Sequence, residues 1–335
     1  MISASVDRQR LRALPKAEIH VHLEGCLSQE QIVSLAAAAG EPLPRPADEL
    51  FTFANLAEFL SFLDWSCSLL RSEAQLEAMA YAFCQRLATQ GTRYADPIVN
   101  PTHWEPWRHR LPAMIAALDR GFTAAEQDGL PPVGLCLSLL RQQSADEAIE
   151  LLDMMIALRH PRVVALSIDG NEAAAGRTGP RFVDTFRRAA AAGFRRTAHA
   201  GESSGPEGIR DAIRLLDVER IDHGVRAVED PLLMDELRQL GMPLGITPSS
   251  NVLLGLYADY RDHPIDALRR HGIPVSVGTD DPELLRTSLI DEYARMVETF
   301  GWDDADLREV ARTSILASFA ASEIKRDLLE RLDDW

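Results

Sequence analysis

Only four cysteines occur in the chain, Cys26, Cys67, Cys84 and Cys136, and no two form a Cys-x-x-Cys pair. Their scatter argues against a thiolate zinc motif and a disulfide framework, so reduced thiols are expected. Basic residues are few relative to acidic ones: 35 Lys and Arg against 51 Asp and Glu give a formal net charge of −16. Nucleic acid is therefore not expected as a partner, because its phosphates demand a basic stripe. A neutral base or nucleoside is compatible with such a surface. No apolar run approaches the roughly 18 residues of a membrane span. Residues 1–12 contain Arg8, Arg10 and Arg12 but no apolar stretch like that of a secretory signal. No membrane partner and a cytoplasmic location are expected. The chain also lacks a linker, a low-complexity tract and an internal repeat, which predicts one domain over 1–335 with 1–13 as an N-terminal extension.

What is present is ample core material, 46% hydrophobic against 26% charged residues, in a length common for α/β barrels. Strand-like runs alternate with helical ones. The strands are predicted at Ile19–Leu23, Arg93–Asn100, Val133–Leu140, Val163–Ile168, Arg195–His199, Arg220–Asp222, Pro243–Thr247 and Pro274–Gly278. Pro97 weakens the second, since it cannot donate to a ladder. After the first strand, Ser28 with Gln31 forms a capping box that opens a helix closed by Gly40. Asn55 caps an apolar and aromatic segment, Leu56 to Trp65, which is either core or a lid over a ligand. Ser72 with Gln75 opens a further helix ending near Gly91. Helices are also predicted at Ala145–Arg159, Arg181–Ala192, Pro206–Leu216, Pro231–Leu240 and Ile265–His271. Leu284–Phe300, Asp303–Ala321 and Ser322–Leu332 follow. Eight successive β-α units predict a parallel (β/α)8 TIM barrel, with additional helices after strand 1 and at the C-terminus.

The densest chemistry lies in Ala17-Glu18-Ile19-His20-Val21-His22-Leu23-Glu24-Gly25. Side chains alternate along a strand, so His20 and His22 face one side and Ile19, Val21 and Leu23 the other. Two imidazoles on one face are half of a metal site. Thr197-Ala198-His199-Ala200-Gly201-Glu202, Ile221-Asp222-His223-Gly224 and Gly278-Thr279-Asp280-Asp281-Pro282 each follow a predicted strand. In a (β/α)8 barrel such strand ends converge at the C-terminal face. Three imidazoles and a carboxylate suit zinc, which keeps a position for water and lowers its pKa toward roughly 7. Glu202 stands beside such a metal without having to bind it, placed to carry a proton between water and substrate. The neighbours Asp280 and Asp281 repel unless a cation or donor holds them. A lone histidine is ordinarily a hydrogen-bonded structural residue, which is the reading for His160, His263 and His271.

Gly201-Glu202-Ser203-Ser204-Gly205 also matches Gly-x-Ser-x-Gly, the nucleophile elbow of serine hydrolases, between a strand and a helix. That rival leaves His20, His22 and His199 without a purpose.

Residues 14 to 335 resemble the adenosine deaminase family of the amidohydrolase superfamily. The resemblance rests on Pro15-Lys16-Ala17-Glu18-Ile19-His20-Val21-His22-Leu23-Glu24-Gly25, Gly170-Asn171-Glu172, His199-Ala200-Gly201-Glu202, His223-Gly224, Pro248-Ser249-Ser250-Asn251 and Gly278-Thr279-Asp280-Asp281-Pro282. It implies a zinc-dependent barrel that replaces a purine 6-amino group by oxygen, with one zinc per subunit held by His20, His22, His199 and Asp280. It further implies that Glu202 protonates purine N1 and that His223 orients or deprotonates the zinc-bound water. Asp281 would hydrogen-bond N7, the Gly170 N–H would meet N3, and Glu24 occupies the position that contacts a ribose 5′-hydroxyl. Ser167, Ile98 and Thr247 depart from common family residues, and these departures bear on the substrate. The expected substrate is adenosine or 2′-deoxyadenosine; the alternative is adenine or a 5′-modified adenine nucleoside such as aminofutalosine. The expected partner is thus a small-molecule purine, and a homo-oligomer is compatible with the sequence.

Overall fold

Apolar runs buried on both faces pair as parallel strands in chain order. The structure, a computed structural model, describes residues 6–335. Strand β1 (Lys16–Glu18) pairs with β2 (Thr92–Ala95). Strand β3 (Ile98–Val99) opens the series β4 (Leu135–Leu140), β5 (Val163–Asp169), β6 (Arg195–Ala200), β7 (Arg220–His223), β8 (Leu244–Ile246) and β9 (Val275–Val277), each pairing in parallel with the next. Segments β2 and β3 are the two halves of the strand predicted at Arg93–Asn100. They part at Asp96-Pro97, where Pro97 has no N–H to give, so the nine segments make eight strands.

Closure runs through residues 19–22. The Ile98 N–H donates to the Val21 carbonyl at 2.8 Å, and on the other side the His22 N–H donates to the Asp280 carbonyl at 2.6 Å. The stretch predicted as strand Ile19–Leu23 is therefore a seam of single bridges, and Leu23–Cys26 turns into a 3-10 helix. A regular ladder is interrupted on one side by Pro97. On the other, Asp280 has a left-handed backbone with φ of 63°.

The capping boxes at Ser28 with Gln31 and at Ser72 with Gln75 are both made, and Asn55 caps the helix Leu56–Ser68. The helix Leu111–Gln127 has no counterpart in the sequence reading. Its cap residue Arg110 makes no side-chain cap bond, and Pro112 and Gly121 blur its helical signal. Gly121 is required by packing, since a Cβ there would fall 2.2 Å from the Glu77 carbonyl oxygen of the helix Glu73–Thr89. The helix predicted from Leu284 begins at Leu289, because Ser288 caps it. Within the expected N-terminal extension, Arg8–Ala13 is helical behind Asp7, and the buried Lys16 Nζ donates to the carbonyls of Leu11 and Leu14 at 2.9 and 3.2 Å.

At the start of β7, Arg220 forms a fully buried ion pair with Asp96 at 2.7 Å, and the Phe319 N–H also donates to Asp96. Among the described residues no helix is long and apolar enough to cross a membrane.

Candidate metal centre and pocket

Four imidazoles and one carboxylate from β-strand ends and the closing seam meet at one point. His199 Nε2 lies 3.3 Å from His20 Nε2 and 2.9 Å from His22 Nε2. Asp280 Oδ1 is 3.4 Å from both His20 Nε2 and His22 Nε2. His20, His199, His223 and Asp280 each offer an atom within 4.8 Å of the others. His20 Nδ1 lies 2.6 Å from the Gly245 carbonyl, which can only accept, so Nδ1 carries a proton and Nε2 faces the centre. Ser250 Oγ donates to Asp280 Oδ2 at 2.6 Å and steadies the carboxylate. Imidazole nitrogens this close repel unless something positive lies between them. A divalent cation satisfies all of these lone pairs at once, and the mixed nitrogen and oxygen donor set fits it.

The electrostatics point the same way. Burial works against charge on His20, but its hydrogen bond with Asp280 and the charges of Asp222 and Asp280 prevail and raise its pKa to about 9. Burial, together with the fields of His20, His22 and His223, pushes His199 well below the usual range. Burial would raise Asp280, yet its bond with His20 and the neighbouring imidazoles hold it well below the ordinary carboxylate value. His223 and Asp280 both adopt left-handed backbone, with φ of 72° and 63°. That conformation costs non-glycine residues about 1–3 kcal/mol and gathers at functional sites.

Two further titratable groups, Glu202 and His223, stand beside this centre. Glu202 follows β6, and its loop is pinned by Glu172, whose carboxylate accepts the N–H groups of Gly201 at 3.0 Å and Glu202 at 2.7 Å. Burial, then the charges of Asp280 and Glu172, lift the Glu202 pKa to about 8. His223 Nε2 faces Glu202 Oε1 at 3.6 Å. A chain of bonds determines which His223 nitrogen holds the proton. The Ile265 N–H donates to His263 Nδ1 at 3.2 Å, so His263 donates from Nε2 to Asn251 Oδ1 at 3.0 Å. The Asn251 amide is thereby oriented to donate from Nδ2 to His223 Nδ1 at 3.3 Å. The proton of neutral His223 is then on Nε2, toward Glu202. Burial lowers the His263 pKa to about 3, so its ring stays neutral.

The pocket above the cluster is a cavity of about 60 Å³. Leu56, Phe59, Leu60 and Leu63 of helix Leu56–Ser68 wall it, so the apolar segment is both core and lid. Glu24, Gly170, Glu202 and Asp281 supply polar lining. Glu24 is 1% exposed, and its Oε1 accepts the Asn100 N–H and the Trp104 indole N–H, both at 2.7 Å. Gly25 makes room for Asp281, since a Cβ there would fall 2.2 Å from Asp281 Oδ1.

All nine residues expected at the site meet there: His20, His22, His199 and Asp280, with Glu202, His223, Glu24, Gly170 and Asp281. The set of four whose atoms all lie within 4.8 Å of one another contains His223 and not His22, while His223 Nε2 is the protonated nitrogen in the chain above and His22 Nε2 lies 2.9 Å from His199 Nε2. Sequence reasoning gave no role at the site to Glu172, Asp169, Asn251 or His263, although Glu172 stands in the quoted Gly170-Asn171-Glu172 stretch. Asn251 lies in the Pro248-Ser249-Ser250-Asn251 stretch, so a signal was present without a role. His263, read as a structural histidine, reaches the site through Asn251. Thr247 also touches His223 Nδ1 at 3.3 Å, so that departure from the family borders His223. The serine-elbow reading fails: Ser203 Oγ accepts the Ala173 N–H at 3.4 Å, while Glu202 is the residue of that stretch that lines the pocket.

Comparison with known proteins agrees with this geometry. The sequence pattern of the family described as adenosine deaminase matches residues 15–335. An adenine deaminase of Rhodospirillum rubrum is 34% identical over 332 residues, covering 98% of each chain. The crystal structure of an adenine deaminase from Arthrobacter aurescens superposes with a TM-score of 0.91 at 31% identity, over 96% of this chain and 99% of that one. An amidohydrolase from Burkholderia ambifaria with bound Zn has the same TM-score of 0.91 at 28% identity, over 99% of this chain and 95% of that one.

Proposed function

The chain belongs to the adenosine deaminase family and is a hydrolytic aminohydrolase, and from that premise we propose that it converts free adenine and water to hypoxanthine and ammonia, with zinc as its metal. The expectation of adenosine gives way to the alternative stated beside it. The observation that carries this choice is the likeness over nearly the whole chain to proteins named adenine deaminase, in sequence and in solved structure. Glu24 is buried, and its Oε1 is taken up by Asn100 and Trp104.

Zinc is proposed from the donor set and from the Zn-containing neighbour, with His20, His22, His199 and Asp280 as its ligands. When bound, it supplies the Lewis acidity that makes water a nucleophile at neutral pH. Glu202 donates a proton to N1, which draws electrons from C6 and opens that carbon to attack. His223 directs its Nε2 proton toward the oxygen that adds. Asp281 meets N7 and the Gly170 N–H meets N3, holding the ring so that C6 faces the attacking side. The carboxylate left on Glu202 then takes the proton of the hydroxyl group added at C6 and passes it to the amino group, which leaves as ammonia while C6 becomes a carbonyl. A cytoplasmic location belongs to the same reading, supported by four buried, free cysteines. So does a single domain, supported by one hydrophobic cluster reaching from Leu11 to Leu332.

The test is ammonia release by the purified protein from adenine, adenosine, 2′-deoxyadenosine and AMP, with metal analysis. Adenine should exceed adenosine in kcat/KM by at least about 10²-fold, with near-stoichiometric zinc. Efficient turnover of adenosine with none of adenine would overturn the choice of base, and full activity after chelation would overturn the metal.

A further inference from the structure

Most oxygens of the carboxylates lining the pocket have a partner or a use. Asp280 serves the metal cluster and Ser250. Glu24 Oε1 has two N–H donors, while its Oε2 has no hydrogen-bond partner and is turned toward the metal cluster, 4.0 Å from His22 Nδ1. Asp281 Oδ1 is unpartnered and stands where N7 is to be read. Asp169 fits none of these uses. It is the last residue of β5, 3% exposed, and lines the pocket. Its Oδ1 accepts from Asn100 Nδ2 at 2.6 Å, while its Oδ2 is buried without any donor. Asn100 donates its backbone N–H to Glu24 as well, so one residue locks both carboxylates in place. Rotation of Asp169 to hide its free oxygen would break the Asn100 bond.

A buried carboxylate oxygen without a donor costs a few kcal/mol, and it is tolerated where a ligand supplies the missing proton. Gly170 follows Asp169 directly, with φ of 95°. This strand end thus presents a backbone donor and a carboxylate acceptor on consecutive residues. One edge of free adenine carries the complementary pair on neighbouring ring positions: N3, an acceptor, and N9–H, a donor. Every nucleoside and nucleotide has a sugar carbon at N9 and no proton to give.

We propose that Asp169 Oδ2 accepts the N9–H of the bound base and is the residue that selects a free 6-aminopurine over its N9-substituted forms. The assignment rests on the adenine reading above and adds the atom that enforces it. A donor of the base lies in this contact, so loss of the carboxylate weakens binding more than turnover.

The experiment compares adenine with 9-methyladenine, which keeps the purine and loses only the N9 proton, in wild type, Asp169→Ala and Asp169→Asn. Wild type should favour adenine by at least about 10²-fold in kcat/KM. In Asp169→Ala, adenine should lose about 10²-fold, mainly through KM, while 9-methyladenine holds or improves, so that the ratio collapses. Asp169→Asn should be no better. Asn100 keeps the amide oxygen on its own side, and the amide NH₂ then opposes the N9–H. Zinc content should be unchanged in both. Equal losses on the two substrates would mark Asp169 as structural and overturn the assignment. Wild type accepting 9-methyladenine as well as adenine would overturn it without any variant. Failure of the adenine reading itself appears separately, as absent adenine turnover in wild type.

Discussion

The proton of His223 is placed by a residue that does not line the pocket. Asn251 donates to His223 Nδ1, and His263 fixes which way the Asn251 amide points. Asn251→Ala should free the ring to place its proton on either nitrogen. A fall of about 10–100-fold in kcat is expected, with zinc content and KM for adenine near the wild-type values. Loss of zinc instead would show that His223 acts as a ligand. Glu202 is tested by Glu202→Gln, which keeps its shape and its backbone N–H bond to the Glu172 carboxylate but cannot shuttle a proton. Turnover should fall by at least about 10²-fold with the metal retained, and unchanged kcat would remove it from the reaction. His22, His199 and Glu202 were recognisable from residue type and neighbours. Asn251 and His263 were not, because amides and histidines are common and only their mutual distance gives these two a role.

The 3-10 turn Leu23–Cys26 carries Glu24 to one side of the pocket and packs Gly25 against Asp281. A Cβ on Gly25 would also lie 2.5 Å from the Asp281 Cα, so backbone as well as side chain must move. Gly25→Ala should therefore leave a folded protein whose kcat/KM for adenine is lower by about 10²-fold, since a small misplacement of a binding group is costly. Circular dichroism and kinetics together check this; wild-type activity would show that the seam yields freely. The helices with strong caps, such as those after Ser28 and Ser72, were legible because a capping box is local. The helix Leu111–Gln127 was not, since it starts without a cap bond and contains a glycine that only its neighbour explains.

Stability of the whole barrel should carry the signature of one buried amine. Lys16 is fully buried, and burial, opposed by Glu18 and assisted by Arg93 and Arg12, lowers its pKa to about 7. In the unfolded chain it titrates near 10.5. Between these values the unfolded state binds the extra proton, so folding stability rises with pH across that window and falls away as pH drops toward 7. The slope from this group is at most about 1.4 kcal/mol per pH unit. Denaturant unfolding at pH 7.5 and 9, in wild type and Lys16→Met, should show a steeper rise in wild type. Parallel behaviour would mean that the amine stays charged in the folded protein.

By itself the sequence determined the chemistry available and the order of its delivery. Eight apolar runs at barrel spacing, histidines two apart, and carboxylates just beyond strand ends required convergence, because parallel strands in chain order all present their C-terminal ends on one face. Only the tertiary structure decided how those groups divide the work. It separated the Glu24 oxygen held by Asn100 and Trp104 from the one facing His22, and it left the Asp169 oxygen without a donor. It also oriented His223 through Asn251. Residue identity says what a side chain can donate or accept. Which of its atoms is still free depends on neighbours brought close by folding, and the proposed preference for a free base over a nucleoside rests on those free atoms.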